Sequence, residues 1–538
     1  MKRLAAIFLL VVSAVLAAAP AQQERSDLRL ILLIAVDQFR YDYLTRFRSE
    51  YTSGLRRLLN DGAVFDDANL EHYPTVTAIG HSTMLSGATP SVSGIIGNDW
   101  FDRETARTVT SVSDTKVAVL GGQGDAAASP HRLLVTTVGD QLKMASAAAR
   151  GSDAAPRVIG VSLKDRSAIL PVGRGADAAY WWDTKAGAFV TSTYYGPSLR
   201  PWVEAFNARR TADAWVGKPW AVLSDPTSVF QQLPKQPGPD LYQAVYNTPY
   251  GSDLLLEFAT KALEEEKLGQ RGVLDLMSVS FSSNDAVGHT YGPDSPQVRD
   301  ISIRTDRVIG ALLDRIDRAV GLQHTLVALT ADHGVAPLPE VLQKQLLPGG
   351  RMASKDLFDP MQLALEKKYG PGKWLLSTAG SSPYLNYELA AKVGADLADI
   401  RRVAAQAALA VPHVTRVYTR DELARGVAPD DRIGHRIIRG FNQQRSGDLE
   451  IILEPYWIRQ ATGTSHGTPY NYDAHIPLIL MGAQIKPGEY ADPVALNDLA
   501  PTLATLANVE IPAGSVGRVL TEAIRPAARP EATPPARR

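Results

Sequence analysis

The chain of 538 residues contains no cysteine. That absence excludes disulfides, thiolate metal sites, a cysteine nucleophile and a cysteine-linked lipid anchor. An excess of charge is missing too: 56 Lys and Arg face 57 Asp and Glu, for a formal net charge of −1. Nothing in that balance points to a nucleic-acid or membrane-surface partner, and neither is expected. Beyond the N-terminal segment no apolar run is long enough to span a bilayer. No internal repeat is found. What remains is ordinary for a globular protein, 45% hydrophobic and 21% charged. The length is enough for a large core and roughly two to four domains.

The N-terminus has the pattern of a removable leader. Lys2 and Arg3 precede an apolar stretch from Leu4 to Leu16, too short to span a bilayer comfortably, and Ala19-Pro20-Ala21 offers a small-residue cleavage signal. Residues 1–21 are therefore expected to be a signal peptide, with the mature protein periplasmic or secreted and without stable membrane insertion.

Five apolar runs of strand length follow: Leu28 to Val36, Val158 to Leu163, Val273 to Phe281, Thr325 to Thr330 and Ile476 to Met481. They are apolar throughout, as buried parallel strands are. Helical patterns lie between them, including Asp253 to Leu268, opened by an Asp cap, and Pro296 to Val320. Alternation of this kind predicts an α/β fold with a mostly parallel central sheet flanked by helices. Two stretches break the pattern. Residues 173–249 are rich in Trp, Tyr, Gly and Pro and suggest an insertion; residues 346–460 suggest an accessory lobe, with a helix from Asp396 to Leu409 and strands after Pro412 and from Asp448 to Leu453. A catalytic body of 22–523 and a disordered tail of 524–538 complete the expected layout.

Charged and imidazole residues collect just after these strands, where open α/β sheets bind ligands. Asp37 follows the first; Lys164 and Arg166 follow the second; Asp285 and His289 follow the third; Asp332 and His333 follow the fourth; His466 precedes the last. Taken singly, each has a bland explanation: a helix cap, a surface pair, a turn. Taken together, three Asp and three His suit zinc better than magnesium or calcium, and six ligands fit two ions rather than one.

Tyr73 to Trp100 is rich in Thr, Ser and Gly and poor in charge, suited to bringing backbone close to a substrate. Its hydroxyl candidates are Thr75, Thr77, Ser82, Thr83 and Ser86, among which composition does not choose.

These motifs resemble the alkaline phosphatase superfamily, and within it the PafA-like bacterial alkaline phosphatases, including the sphingomonad type, which use a threonine nucleophile. The resembling segments are Val36-Asp37-Gln38, PTVTAIGHSTMLSG, GIIGNDW, SLKDR at 162–166, NDAVGH at 284–289, TADHG at 330–334 and HGTPYNYD at 466–473. The resemblance implies an alkaline-phosphatase-like fold with inserted lobes and two zinc ions per chain. One ion would be held by Asp285, His289 and His466. The other would be held by Asp37, Asp332 and His333, with the oxygen of Thr77 completing it. Thr77 is the implied nucleophile, because it stands immediately before Ala-Ile-Gly-His. Asn98, in Gly-Asn-Asp-Trp, would donate to a phosphoryl oxygen, and Lys164 and Arg166 would reach the phosphate. The implied activity is hydrolysis of small phosphate monoesters by a monomer through a phosphothreonine. The alternative is a nucleotide phosphodiesterase or phosphonate hydrolase on the same metals.

Thr77 is expected to begin a helix, whose N-terminal amides favour phosphate. Lys164 and Arg166 are expected to converge by standing two apart on an extended segment, which favours a dianionic monoester. His81, four residues after Thr77, is read as a support rather than a base. His72, His131, His324, His413 and His435 are read as structural or surface, and His475 as supporting a core strand. Trp181 and Trp182 are read as packing, and Asp306 as lying on the solvated face of its helix.

Overall fold

Apolar runs place their strands side by side in one ten-stranded sheet. The computed structural model describes residues 27–525, apart from 125–126, 150–151, 153 and 379–381, so the expected leader and nearly all of the tail lie outside the described residues. Five central strands are mutually parallel, in the order Thr325–Thr330, Leu30–Val36, Asp275–Phe281, Val158–Ser162 and Ala178–Asp183. Each of the first four is buried along its whole length, as a strand covered by helices on both faces must be. The flanks are mixed. Leu478–Gly482 runs antiparallel to both Thr325–Thr330 and Ala63–Phe65, contrary to the parallel direction expected of it. An unbroken apolar run reports that both faces are covered; it carries no information on strand direction.

Register matters most for function. Val36 pairs with Phe281, Ala35 with Thr330, and Ser280 with Ser162. The carboxyl ends of four strands therefore stop at nearly one level, and the residues that follow them emerge together.

Helices differ from expectation at two points. The helix expected from Asp253 starts earlier, as Pro249–Glu265, with Thr248 at the N-cap and Pro249 at the first position, where the missing N–H costs nothing. Asp306, on the Pro296–Ala319 helix, is fully buried rather than solvated. Its two carboxylate oxygens accept the backbone N–H groups of Thr52, Ser53, Leu55 and Arg56 at 2.7–3.2 Å, capping the Gly54–Asp61 helix from another element.

The 173–249 stretch is not separate from the sheet: Ala178–Asp183 and Ala188–Ser192 are two of its strands. Trp181 and Trp182 are buried there, Trp182 packing edge-on to Phe189 with ring centroids 5.2 Å apart. Within 346–460, the helices Ser354–Tyr369 and Leu397–Leu409 and the antiparallel strands Val414–Thr419 and Leu449–Leu453 enclose a hydrophobic cluster of their own. Asp448 ties this region to the sheet-bearing body, pairing with Arg103 from the body and with Arg401 from its own side. Among the described residues no helix is long and apolar enough to cross a membrane.

Candidate metal centre

Asp37 stands one residue past its strand, fully buried, and its Oδ2 accepts a hydrogen bond from Lys164 Nζ at 2.6 Å. The same ammonium donates to Asp285 Oδ2 at 2.7 Å, so Lys164 bridges carboxylates from two different strand ends. Burial works against the lysine's charge, but Asp285 and Asp37 hold its pKa above the ordinary range. Burial and the neighbouring Asp332 push the Asp37 carboxyl well up. Burial would do the same to Asp285, yet the charges of His289 and Lys164 hold it well below the usual carboxylate range.

Three imidazoles close the site. His289 Nδ1 lies 2.8 Å from the Thr464 carbonyl, His333 Nδ1 2.9 Å from that of Gly334, and His466 Nδ1 2.8 Å from that of Thr75. A carbonyl only accepts, so each Nδ1 carries a proton, and in the neutral ring the lone pair is on Nε2. Those Nε2 atoms face the carboxylates: His289 is 3.1 Å and His466 3.8 Å from Asp285 Oδ1, and His333 is 3.6 Å from Asp37 Oδ1 and 3.4 Å from Asp332 Oδ2. Burial lowers the pKa of both His333 and His466, which keeps them neutral. His289 differs: burial lowers its pKa, but Asp285 outweighs this and raises it.

This donor set fits divalent cations. Asp37 Oδ1 and Asp332 Oδ2 are buried without a hydrogen-bond partner, a costly arrangement unless something positive satisfies them. One ligand atom each from Asp285, His289 and His466 lie within 4.8 Å of one another, and so do those of Asp37, Asp285 and His333. Asp285 thus reaches both groups, whereas Asp332 stands beside His333 with its Oδ1 occupied by the backbone N–H groups of Gln38 and His333, each at 3.0 Å.

Thr77 is the first residue of the Thr77–Ser86 helix, after Val76 at the N-cap. Its Oγ1 lies 3.3 Å from His333 Nε2. The other four candidate hydroxyls each donate to a backbone carbonyl: Thr75 to Thr468, Ser82 to Ile79, Thr83 to Ala88 and Ser86 to Ser82. The helix sits hard against the centre at Gly80, where a Cβ would come within 2.4 Å of the Asp332 carbonyl oxygen. Asn98 Oδ1 accepts the Ala78 N–H at 2.9 Å, anchoring its carbonyl end at the helix start.

Lys164 and Arg166 do not share an extended segment. Lys164 is the N-cap of the Asp165–Ile169 helix and Arg166 lies within its first turn. Both still belong to one charged group, and the Arg166 Nε is buried without a hydrogen-bond partner. His81 supports the centre from behind: its Nδ1 lies 2.9 Å from the Thr77 carbonyl and 3.2 Å from Asp332 Oδ2, and its Nε2 is 2.7 Å from Ser280 Oγ. His475 faces away, its Nε2 at the Asp66 carbonyl.

Two residues join the site without having been singled out. Gln38, adjacent to Asp37, donates to Asp285 through its side chain; its place in the motif was the available signal. Tyr246, at the end of the Pro239–Tyr246 helix, has its phenol pushed up to about 12 by burial and shares the field of Lys164, Asp285, Asp37 and Arg166. Nothing in the local sequence around it marks that role.

Residues 31–473 match the family described as type I phosphodiesterase / nucleotide pyrophosphatase. A Myroides odoratus protein named calcium-transporting ATPase is 34% identical over 533 residues, covering 94% of this chain and 96% of that one. Alkaline phosphatase PafA of Elizabethkingia meningoseptica is 34% identical over 523 residues, covering 92% and 94% respectively. The crystal structure of wild-type alkaline phosphatase PafA has a TM-score of 0.86 at 33% identity, across 93% of this chain and 99% of that one.

Proposed function

Because the chain belongs to the type I phosphodiesterase / nucleotide pyrophosphatase family, we propose that it is an exported two-zinc alkaline phosphatase that cleaves small phosphate monoesters through a covalent phosphothreonine on Thr77. Relatives named alkaline phosphatase support the general class, a hydrolase acting on phosphate esters. In this reading residues 1–21 are a leader removed on export, 22–523 form the monomeric catalytic body with 173–249 and 346–460 as its elaborations, and 524–538 are a tail.

The observation that carries the reading is the orientation of Thr77. Of the five candidate hydroxyls named above, it is the one turned toward the cluster of carboxylates and imidazoles. Asp285, His289 and His466 would hold one ion, and Asp37, Asp332 and His333 the other, beside Thr77. Bound zinc supplies Lewis acidity to phosphoryl oxygens and lowers the pKa of an adjacent hydroxyl.

The chain's own groups do the rest. Thr77 Oγ1 loses its proton and attacks phosphorus, and the bond to the leaving oxygen breaks. That oxygen takes up a proton to depart as the alcohol, and the phosphoryl group is carried on threonine until water releases it as inorganic phosphate and restores the hydroxyl. The start of the Thr77–Ser86 helix offers amides and a positive dipole end to the phosphate. Asn98, with Oδ1 held by Ala78, keeps its Nδ2 as a donor for a phosphoryl oxygen. Lys164 brings a point charge and Arg166 a planar fork, both suited to a dianion.

A second reading, diester hydrolysis, is favoured by the family's own description. A diester carries one negative charge fewer, so it gains less from two cations. The double substitution Lys164→Ala with Arg166→Ala separates the two. The monoesterase reading expects a loss of about 10²-fold or more on an aryl phosphate and little on a bis-aryl phosphate. Equal small losses on both substrates, or wild-type preference for the diester, would favour the second reading. Full activity after exhaustive chelation would remove the metal from either.

A further inference from the structure

Gln38 occupies an unusual position between the two groups of ligands. It is 2% exposed, and its backbone has φ +60°, in the left-handed region that few non-glycine residues adopt. From there its backbone N–H donates to Asp332 Oδ1 at 3.0 Å and its side-chain Nε2 donates to Asp285 Oδ1 at 2.7 Å. These carboxylates follow two different strands, which are not neighbours in the sheet; the strand ending just before Asp37 and Gln38 lies between them. One residue thus ties an acid of one ligand group to an acid of the other.

The surroundings are cut to fit this side chain. A Cβ on Gly288, one residue before His289, would fall 1.8 Å from Gln38 Oε1. Gly288 therefore leaves the space that the carboxamide occupies. Both hydrogen bonds fall on the Oδ1 of their carboxylate, and the Oδ2 of Asp285 is taken by Lys164. Asp332 Oδ1 is taken by two backbone N–H groups, while its buried Oδ2 makes no hydrogen bond, with His81 Nδ1 3.2 Å away. Asp285 Oδ1, held by Gln38, stays directed at His289 Nε2 at 3.1 Å.

We propose that Gln38 is a positioning residue of the divalent-cation centre, fixing the spacing of the two ligand groups by bridging Asp285 and Asp332, with Gly288 as the cavity that admits it. This rests on the two-metal reading above. Hydrogen bonds to metal-binding carboxylates orient them, and losing one typically weakens metal binding by about 10–100-fold.

Three substitutions test it. Gln38→Asn tolerates the left-handed backbone and keeps the N–H to Asp332, but is one methylene too short to hold Asp285. Gln38→Glu keeps the length and sets an acceptor against Asp285 Oδ1. Gly288→Ala leaves Gln38 intact and displaces its carboxamide. Zinc affinity is read by competition with a chromogenic chelator, and ligand geometry by the visible spectrum of the cobalt(II)-loaded protein. The unfolding midpoint of the metal-free protein reports general destabilisation. The expected result is a 10–100-fold loss of affinity at one of two zinc equivalents and an altered cobalt spectrum in all three variants. If Gly288→Ala does not fold, Gln38→Asn decides. Wild-type affinity, stoichiometry and spectrum in Gln38→Asn would reduce Gln38 to packing and overturn the proposal alone. Failure of the wild type to bind two equivalents would overturn the metal reading together with it.

Discussion

A threonine hydroxyl is an unreactive alcohol, and what distinguishes Thr77 is where its oxygen points. Ser82, Thr83 and Ser86 are consumed by backbone carbonyls within or near their own helix, as short polar side chains commonly are, and Thr75 by the distant carbonyl of Thr468. Thr77, at the first helical position, has no preceding turn to bond back to, so its Oγ1 is left facing His333. Thr77→Ala is expected to lower turnover of an aryl phosphate by about 10³-fold or more, with circular dichroism and the unfolding midpoint close to wild type. Initial rates near the wild-type value would show that another group attacks. At this scale the motif order identified the candidate ligands, while hydrogen-bond geometry separated one hydroxyl from its neighbours. That separation depends on side-chain direction, which local composition does not encode. The same holds for Lys164 and Arg166: the residues were legible, but the extended segment meant to align them is an N-cap followed by a helix.

At the scale of elements, Asp306 shows how a long-range cap escapes sequence analysis. Its helix was legible from apolar spacing. Its own role depends on the start of the Gly54–Asp61 helix, about 250 residues earlier in the chain, arriving beside it. A buried carboxylate receiving four backbone N–H groups is compensated; removing it strands those donors in the interior. Asp306→Ala is expected to destabilise the protein by about 3 kcal/mol or more, read as a lower denaturant midpoint, with Asp306→Asn intermediate. A change within about 0.5 kcal/mol, as at an ordinary surface site, would restore the solvated-face reading. The early start of the Pro249–Glu265 helix has a local cause, since proline at the first position and threonine before it form an N-terminal signal as usable as the downstream aspartate.

For the molecule as a whole, the site exists because four parallel strands end in register and deliver Asp37, Lys164, Asp285 and Asp332 to one edge. The region from 346 to 460 adds a second hydrophobic cluster clamped to the body through Asp448. Within its two-stranded sheet, Glu450 is buried, and burial raises its carboxyl from the ordinary 4.5 to about 7 despite a hydrogen bond from Ser382. The folded state therefore keeps this proton where the unfolded chain has released it. The corresponding stability is complete below pH 4.5 and is lost as pH rises through about 7. Glu450→Gln is expected to remove a decline of up to about 3 kcal/mol, seen as a flatter unfolding midpoint than wild type across that window. Parallel pH profiles for the two proteins would contradict it.

The sequence by itself determined the strands' burial, the α/β class, the order of the motifs and the residue types gathered at the candidate site, because these follow from hydrophobic pattern and side-chain chemistry along short stretches. Only the tertiary structure decided that the last core strand runs antiparallel, that Asp306 is a cap, that Asp285 reaches both ligand groups and that Gln38 bridges two carboxylates. Each of these is a meeting of residues far apart in the chain. Their distances and directions are set by sheet register and packing, which no local run of residues specifies alone.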